Sequence, residues 1–237
     1  MSMSQIFRAN PAPHARILQR AALSILLAGM LAACATGPKN PLTAEQIEAL
    51  DIQTINASVA SHTPIAWGAG EEAYAESKGC KKPEPETGGS GDQYNVAAAE
   101  NKKQGCDYDA LVNSPEARAF MQARIVEMME DALKAKVQPA FRGTNAASLN
   151  IVVVEVRVMT GGQSVFVGGN HVLRATLDVV ETKSGQSVAS NHQLFSQAGY
   201  GPGKFLSLIV EAASSDPVLR LSDGYADAAH NWLAANK

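Results

Sequence analysis

Reactive side chains are few in this sequence, and their spacing limits what each can do. Cys80 and Cys106 have 25 residues between them, belong to no Cys-x-x-Cys string and have no histidine near either. That disfavours a redox pair or a zinc site and leaves a structural disulfide as the expectation for an exported chain. His62, His171, His192 and His230 form no His-x-x-x-His repeat, so no metal and no cofactor is predicted. With a hairpin turn centred on Ser184, His192 falls opposite Thr176, away from His171. The Gly-x-Ser strings at 162 and 185 end in Phe166 and Ala189, without the closing glycine of a nucleophile elbow. Around Gly203-Lys204 a phosphate loop would need glycine where Ala198 stands and a hydroxyl where Phe205 stands. The carboxylate pairs Glu71/Glu72 and Glu127/Asp131 fall on predicted polar helix faces, whereas acid–base catalysis needs perturbed surroundings. No catalytic residue is assigned.

Composition narrows the class further. The chain has 237 residues, 46% apolar and 18% charged, with a formal charge of −3. It lacks the basic footprint of a nucleic-acid binder, and no internal run of apolar residues is long enough to span a bilayer. Arg8, Arg16 and Arg20 precede the apolar run Ala21–Leu31, and no acid occurs before Glu45. This is the charged and hydrophobic pattern of a secretory signal over residues 1–33. The run ends in Leu31-Ala32-Ala33-Cys34, which resembles the bacterial lipobox, Leu-[Ala/Ser]-[Gly/Ala]-Cys, at all four positions. The resemblance implies diacylglyceryl attachment to the Cys34 thiol, cleavage before Cys34 and acylation of the new amine with a fatty acid such as palmitate. Each buried CH2 of those chains contributes about 0.8 kcal/mol to anchoring. Ala35, in place of Asp, favours the outer membrane over the inner by resemblance to enterobacterial lipoproteins. Losing the three arginines leaves 17 basic against 23 acidic side chains, net −6. Anionic lipid would not attract such a domain, so the acyl chains must hold it.

The elements that carry these residues follow from caps and periodicity. Residues 34–42 read as a tether, and 43–237 as a single α/β domain. Thr43 and Gln46 form a capping box ahead of a short helix ending near Leu50. A strand is predicted over Ile52–Val59, then a helix around Glu71–Ser77, then an irregular, disulfide-closed insert over 79–113. Ser114-Pro115-Glu116 opens a long helix to about Val137. Its stripe of Met121, Ile125, Met128, Met129, Ala132 and Leu133 reads as core, with a Met-lined groove the lesser alternative. Strands are predicted over Leu149–Met159, His171–Glu181 and Ser187–Phe195. In the second of these Leu173, Ala175, Leu177 and Val179 point inward, and Gly185 is free for positive φ in the intervening turn. An apolar helix over about Lys204–Ala213 and a final helix capped by Asp216-Pro217 complete the chain. The predicted fold is a two-layer α/β sandwich. Its mixed sheet of about four strands has a parallel first pair, then an antiparallel meander, and is covered by helices.

This order, the lipobox, the turn Thr182-Lys183-Ser184-Gly185-Gln186 and the closing Trp232-Leu233 resemble the small envelope lipoproteins of the TolB-N-terminal-like α/β group. The group includes auxiliary lipoproteins of lipid transport, activators of peptidoglycan synthases and many uncharacterised families. No functional residue is carried over from it. The expectation is a lipid-anchored, periplasm-facing accessory or binding protein of the bacterial cell envelope, non-catalytic and partnered by an envelope protein. One alternative is a small-molecule or lipid carrier with a mouth built from the Met-lined helix and the glycine-rich stretches 160–170 and 199–203. A hydrolase acting through His171 or His192 is the least favoured.

Overall fold

The computed structural model describes residues 38–83, 101–103, 105–159, 171–198 and 216–236. The signal segment with Cys34, the predicted helix over 204–213 and the glycine-rich stretches 160–170 and 199–203 lie outside the described residues. The elements from Asn40 onward belong to one unit. In order they are α1 (Ala44–Ala49), β1 (Leu50–Val59), β2 (Ile65–Ala66), α2 (Gly68–Ser77), α3 (Tyr108–Val112), α4 (Pro115–Lys136), β3 (Asn145–Arg157), β4 (His171–Glu181), β5 (Ser187–Asn191), β6 (Phe195–Ala198) and α5 (Pro217–Leu233).

Helix starts sit where the capping chemistry put them. Thr43 Oγ1 accepts from the Gln46 amide while the Gln46 side chain accepts from the Thr43 amide, closing the box. Ser114 caps α4 with Pro115 following, and Asp216 caps α5 with Pro217 following. The insert read as irregular contains α3, which Asp107 caps by accepting from the Ala110 amide.

Strand order is β1-β3-β4-β5. The pair β1–β3 is parallel, reached through α2, α3 and α4, and β3–β4–β5 is antiparallel. This is the predicted mixed α/β arrangement. Two strands come in halves: β2 continues alongside β3 beyond β1, and the last strand breaks after Asn191, so that β6 pairs with the start of β4. The turn between β4 and β5 closes through Gly185, whose φ of +68° suits glycine.

One sheet face is buried under α4 and α5. Ile52 and Ile55, then Leu149, Ile151 and Val153, then Leu173, Ala175, Leu177 and Val179 pack there. They meet Ile125, Met129 and Leu133 of α4 and Leu221, Tyr225, Ala229 and Leu233 of α5. The inward residues of β4 are those predicted.

In β3 simple alternation fails. A register shift between Val153 and Glu155 changes the phase. Before it the odd-numbered residues are buried, and after it Val156 is. Strict alternation would set Val152, Val154, Val156 and Val158 on one face, but they are divided, with Val156 buried and Val154 38% exposed. One extra residue opposite a partner strand turns every later side chain over. A similar shift occurs at Gln53 in β1.

Side chains of α4 and the turn after it satisfy the outer edge of β1. Glu130 accepts from the Ala57 amide at 3.2 Å, and Gln138 donates to the Gln53 carbonyl at 2.9 Å. The Ile52 amide donates to the Phe141 carbonyl. Three main-chain groups that would otherwise invite another strand are thereby occupied.

Candidate functional site

Cys80 and Cys106 form a disulfide with Cα atoms 5.9 Å apart. Cys80 is buried at the end of α2, its amide donating to the Ala75 carbonyl. Beside the bridge, buried Asn101 grips the main chain of Lys81. Its Oδ1 accepts from the Lys81 amide at 2.9 Å and its Nδ2 donates to the Lys81 carbonyl at 2.6 Å. Lys82 pairs with Glu72, which raises the Lys82 pKa. These contacts make the bridge a staple that fastens one segment to the end of α2.

The histidines do not converge. His171 opens β4 opposite Ala198, and its Nδ1 accepts from the Met159 amide at 3.0 Å. Burial, then the nearby Arg220 charge, pulls its pKa below the ordinary value, so its held form is a neutral ring. His192 is exposed in the break between β5 and β6, within the stretch opposite Ala175 and Thr176. His62 is exposed in the turn before β2, and His230 packs its ring on Phe141 at 5.9 Å.

The carboxylate pairs also take ordinary places. Glu72 is paired with Lys82, and Glu127 with Arg124 at 2.6 Å on the outer face of α4. Met121, Met128 and Met129 lie in the core, so that stripe forms no open groove. Among the described residues no group of three or more His, Cys, Asp or Glu side chains is placed to hold a metal ion.

Two surface features were not read from the sequence. The first is the sheet face turned away from the helices. There the Asn56 amide donates to Asn150 at 3.0 Å, and Ser190 donates to Asp178. Glu155 pairs with Arg174 at 3.0 Å and more loosely with Arg157 at 3.8 Å. The Arg174 guanidinium stands 5.7 Å from the centre of the Phe195 ring, which is 46% exposed. The phase shift at Val154 creates this cluster by placing Glu155 outward beside Arg174. Ser190 bonds Asp178 directly, without an imidazole between them, so the pair is a cross-strand hydrogen bond and not a nucleophile–base relay. The face presents amides, a mixed charge cluster and an aromatic ring.

The second is a small open groove of about 90 Å³ beside α1, lined by Leu42, Gln46, Leu50, Asn145, Ala146, Ala147, Glu181 and Val188. Beside it the chain entering the domain is locked to the helix that ends it. Asn40 Nδ2 donates to the Trp232 and Leu233 carbonyls at 3.2 and 2.8 Å, and its Oδ1 accepts from the Leu42 amide. Asn236 returns the contact, donating to the Asn40 and Leu42 carbonyls. Residues read as the end of the tether are thus part of the fold.

No protein family and no characterised protein matches the sequence. Among solved structures the chain is similar to a dodecameric point variant of PelC from Paraburkholderia phytofirmans. The identity is 16%, over 52% of this chain and 78% of that one, with a TM-score of 0.30.

Proposed function

We propose that this chain is a lipid-anchored, periplasm-facing accessory protein of the bacterial cell envelope that works by binding and not by catalysis. The observation carrying this reading is Leu31-Ala32-Ala33-Cys34 directly after a charged and apolar leader. Ala35 supports placement at the outer membrane. The two-layer sheet with helices on one face is the architecture that the resemblance to TolB-N-terminal-like envelope lipoproteins implies. The binding role is supported by the outward sheet face, where Asn56, Asn150, Glu155, Arg174 and Phe195 present hydrogen-bonding, charged and aromatic groups together. The partner expected there is an envelope protein.

Two measurements test this reading. Cys34→Ser should move the protein from the membrane pellet to the soluble fraction, and its persistence in the pellet overturns the anchor. Mild cross-linking in intact cells, followed by mass identification, should recover one dominant envelope protein, and recovery should fall when Arg174→Ala and Phe195→Ala are combined. A retained lipid or small molecule with no protein partner would move the function to the carrier class.

A further inference from the structure

Strand directions give the domain two poles. At one lie the starts of β1 and β3, the turn joining β4 to β5, α1 and the C-terminal end of α5. At the other lie the end of β1, the turn containing Ser61, the start of β4 and the end of β6. The 13 residues of β3 place these poles about 40 Å apart at the usual rise per residue.

We infer that the first pole, built around Leu42, Gln46, Lys183, Val188 and Asn236, faces the lipid headgroups, and that the Ser61 pole is held away from them. The inference rests on the anchor reading above. Its own argument is the length of chain between anchor and fold. Because Asn40 is fixed to the Trp232 and Leu233 carbonyls, only six Cα steps separate Cys34 from the folded body. They span about 20 Å at full extension, half the distance between the poles. The chain therefore enters the domain at this pole with little slack.

Val188, 39% exposed beside the groove, supplies apolar surface for the headgroup zone to cover.

The test uses the full chain, lipidated in a bacterial host and reconstituted into phosphatidylethanolamine–phosphatidylglycerol vesicles with nitroxide on a fraction of the headgroups. A fluorophore is attached at Lys183→Cys or at Ser61→Cys, both exposed positions. Quenching at 183 should exceed that at 61 by about twofold, and the difference should vanish when a long flexible Gly/Ser spacer is inserted after Lys39. Equal quenching at the two sites in the chain without the spacer, or stronger quenching at 61, overturns the orientation and leaves the anchor standing. Failure of the chain to float with the vesicles overturns both.

Discussion

The side-chain amide of Asn40 donates to the main-chain carbonyl of Leu233 at 2.8 Å, across a sequence separation of 193 residues. Asn40 is 4% exposed, and its three hydrogen bonds satisfy two helix-end carbonyls and the Leu42 amide. The first and last described turns of the domain close on each other through this side chain and that of Asn236.

Asn40→Ala should therefore lower stability by about 1–3 kcal/mol, because buried polar groups lose their partners. Thermal melting checks the magnitude. Hydrogen exchange should show faster exchange at Leu42 and unchanged protection in β3 and β4.

Gly143 follows Arg142, which bridges to Asp51, and its amide donates to the Leu50 carbonyl at 2.9 Å. A Cβ there would lie 2.2 Å from the carbonyl carbon of Ala49, a main-chain atom with no rotamer to escape into. Gly143→Ala should destabilise by about 1–3 kcal/mol, as overpacked sites do, and a melting temperature equal to the wild type's would contradict this.

Reducing the disulfide, or changing Cys80 to Ala, opens a loop of sequence separation 26. The chain-entropy relation puts the loss at about 3–4 kcal/mol. Denaturant titration with and without reductant measures it, and thiol titration of Cys80→Ala should find Cys106 reactive. Two reactive thiols at 80 and 106 in the oxidised wild type would reject the bridge.

His171 gives the stability a pH dependence of definite sign. Its folded pKa lies below the ordinary 6.5, chiefly through burial and secondarily through the Arg220 charge. The unfolded chain therefore takes up a proton at a pH where the folded chain does not. The contribution is fully present above about pH 6.5 and is lost as the pH falls from there through the lowered folded value. His171→Asn, whose side-chain oxygen can still accept from the Met159 amide, should flatten the stability profile between about pH 7 and pH 5. An unchanged slope would show that other groups carry it.

Much of the fold was legible because its signals are local. Thr43 with Gln46, Ser114 with Pro115 and Asp216 with Pro217 announce helix starts within four residues, and the alternation of Leu173, Ala175, Leu177 and Val179 fixes the face of β4. The phase of β3 was not legible. A single extra residue at Val154 leaves both halves alternating, and only the partner strand reveals the slip. Long-range polar contacts were hidden for a related reason. Glu130 looks like any outward helix carboxylate paired with Lys134, and nothing in its spacing points to the Ala57 amide 73 residues earlier. The Glu155–Arg174–Phe195 cluster depends on both effects at once. The one clue available was opposite charges on two strands expected to pair.

The closure at Asn40 also sets a load path. A pull on the chain ahead of Asn40 is delivered first to the end of α5 through two helix carbonyls. From there it spreads through the buried side chains of α5 and the Tyr225 hydroxyl bonded to the Ala175 carbonyl, in the middle of the sheet. Leu50 at the start of β1 is shielded by α1 and by the capping box at Thr43. Tension therefore meets packed side chains before it meets the ladder between β1 and β3, and the strands are not peeled one hydrogen bond at a time from an exposed end.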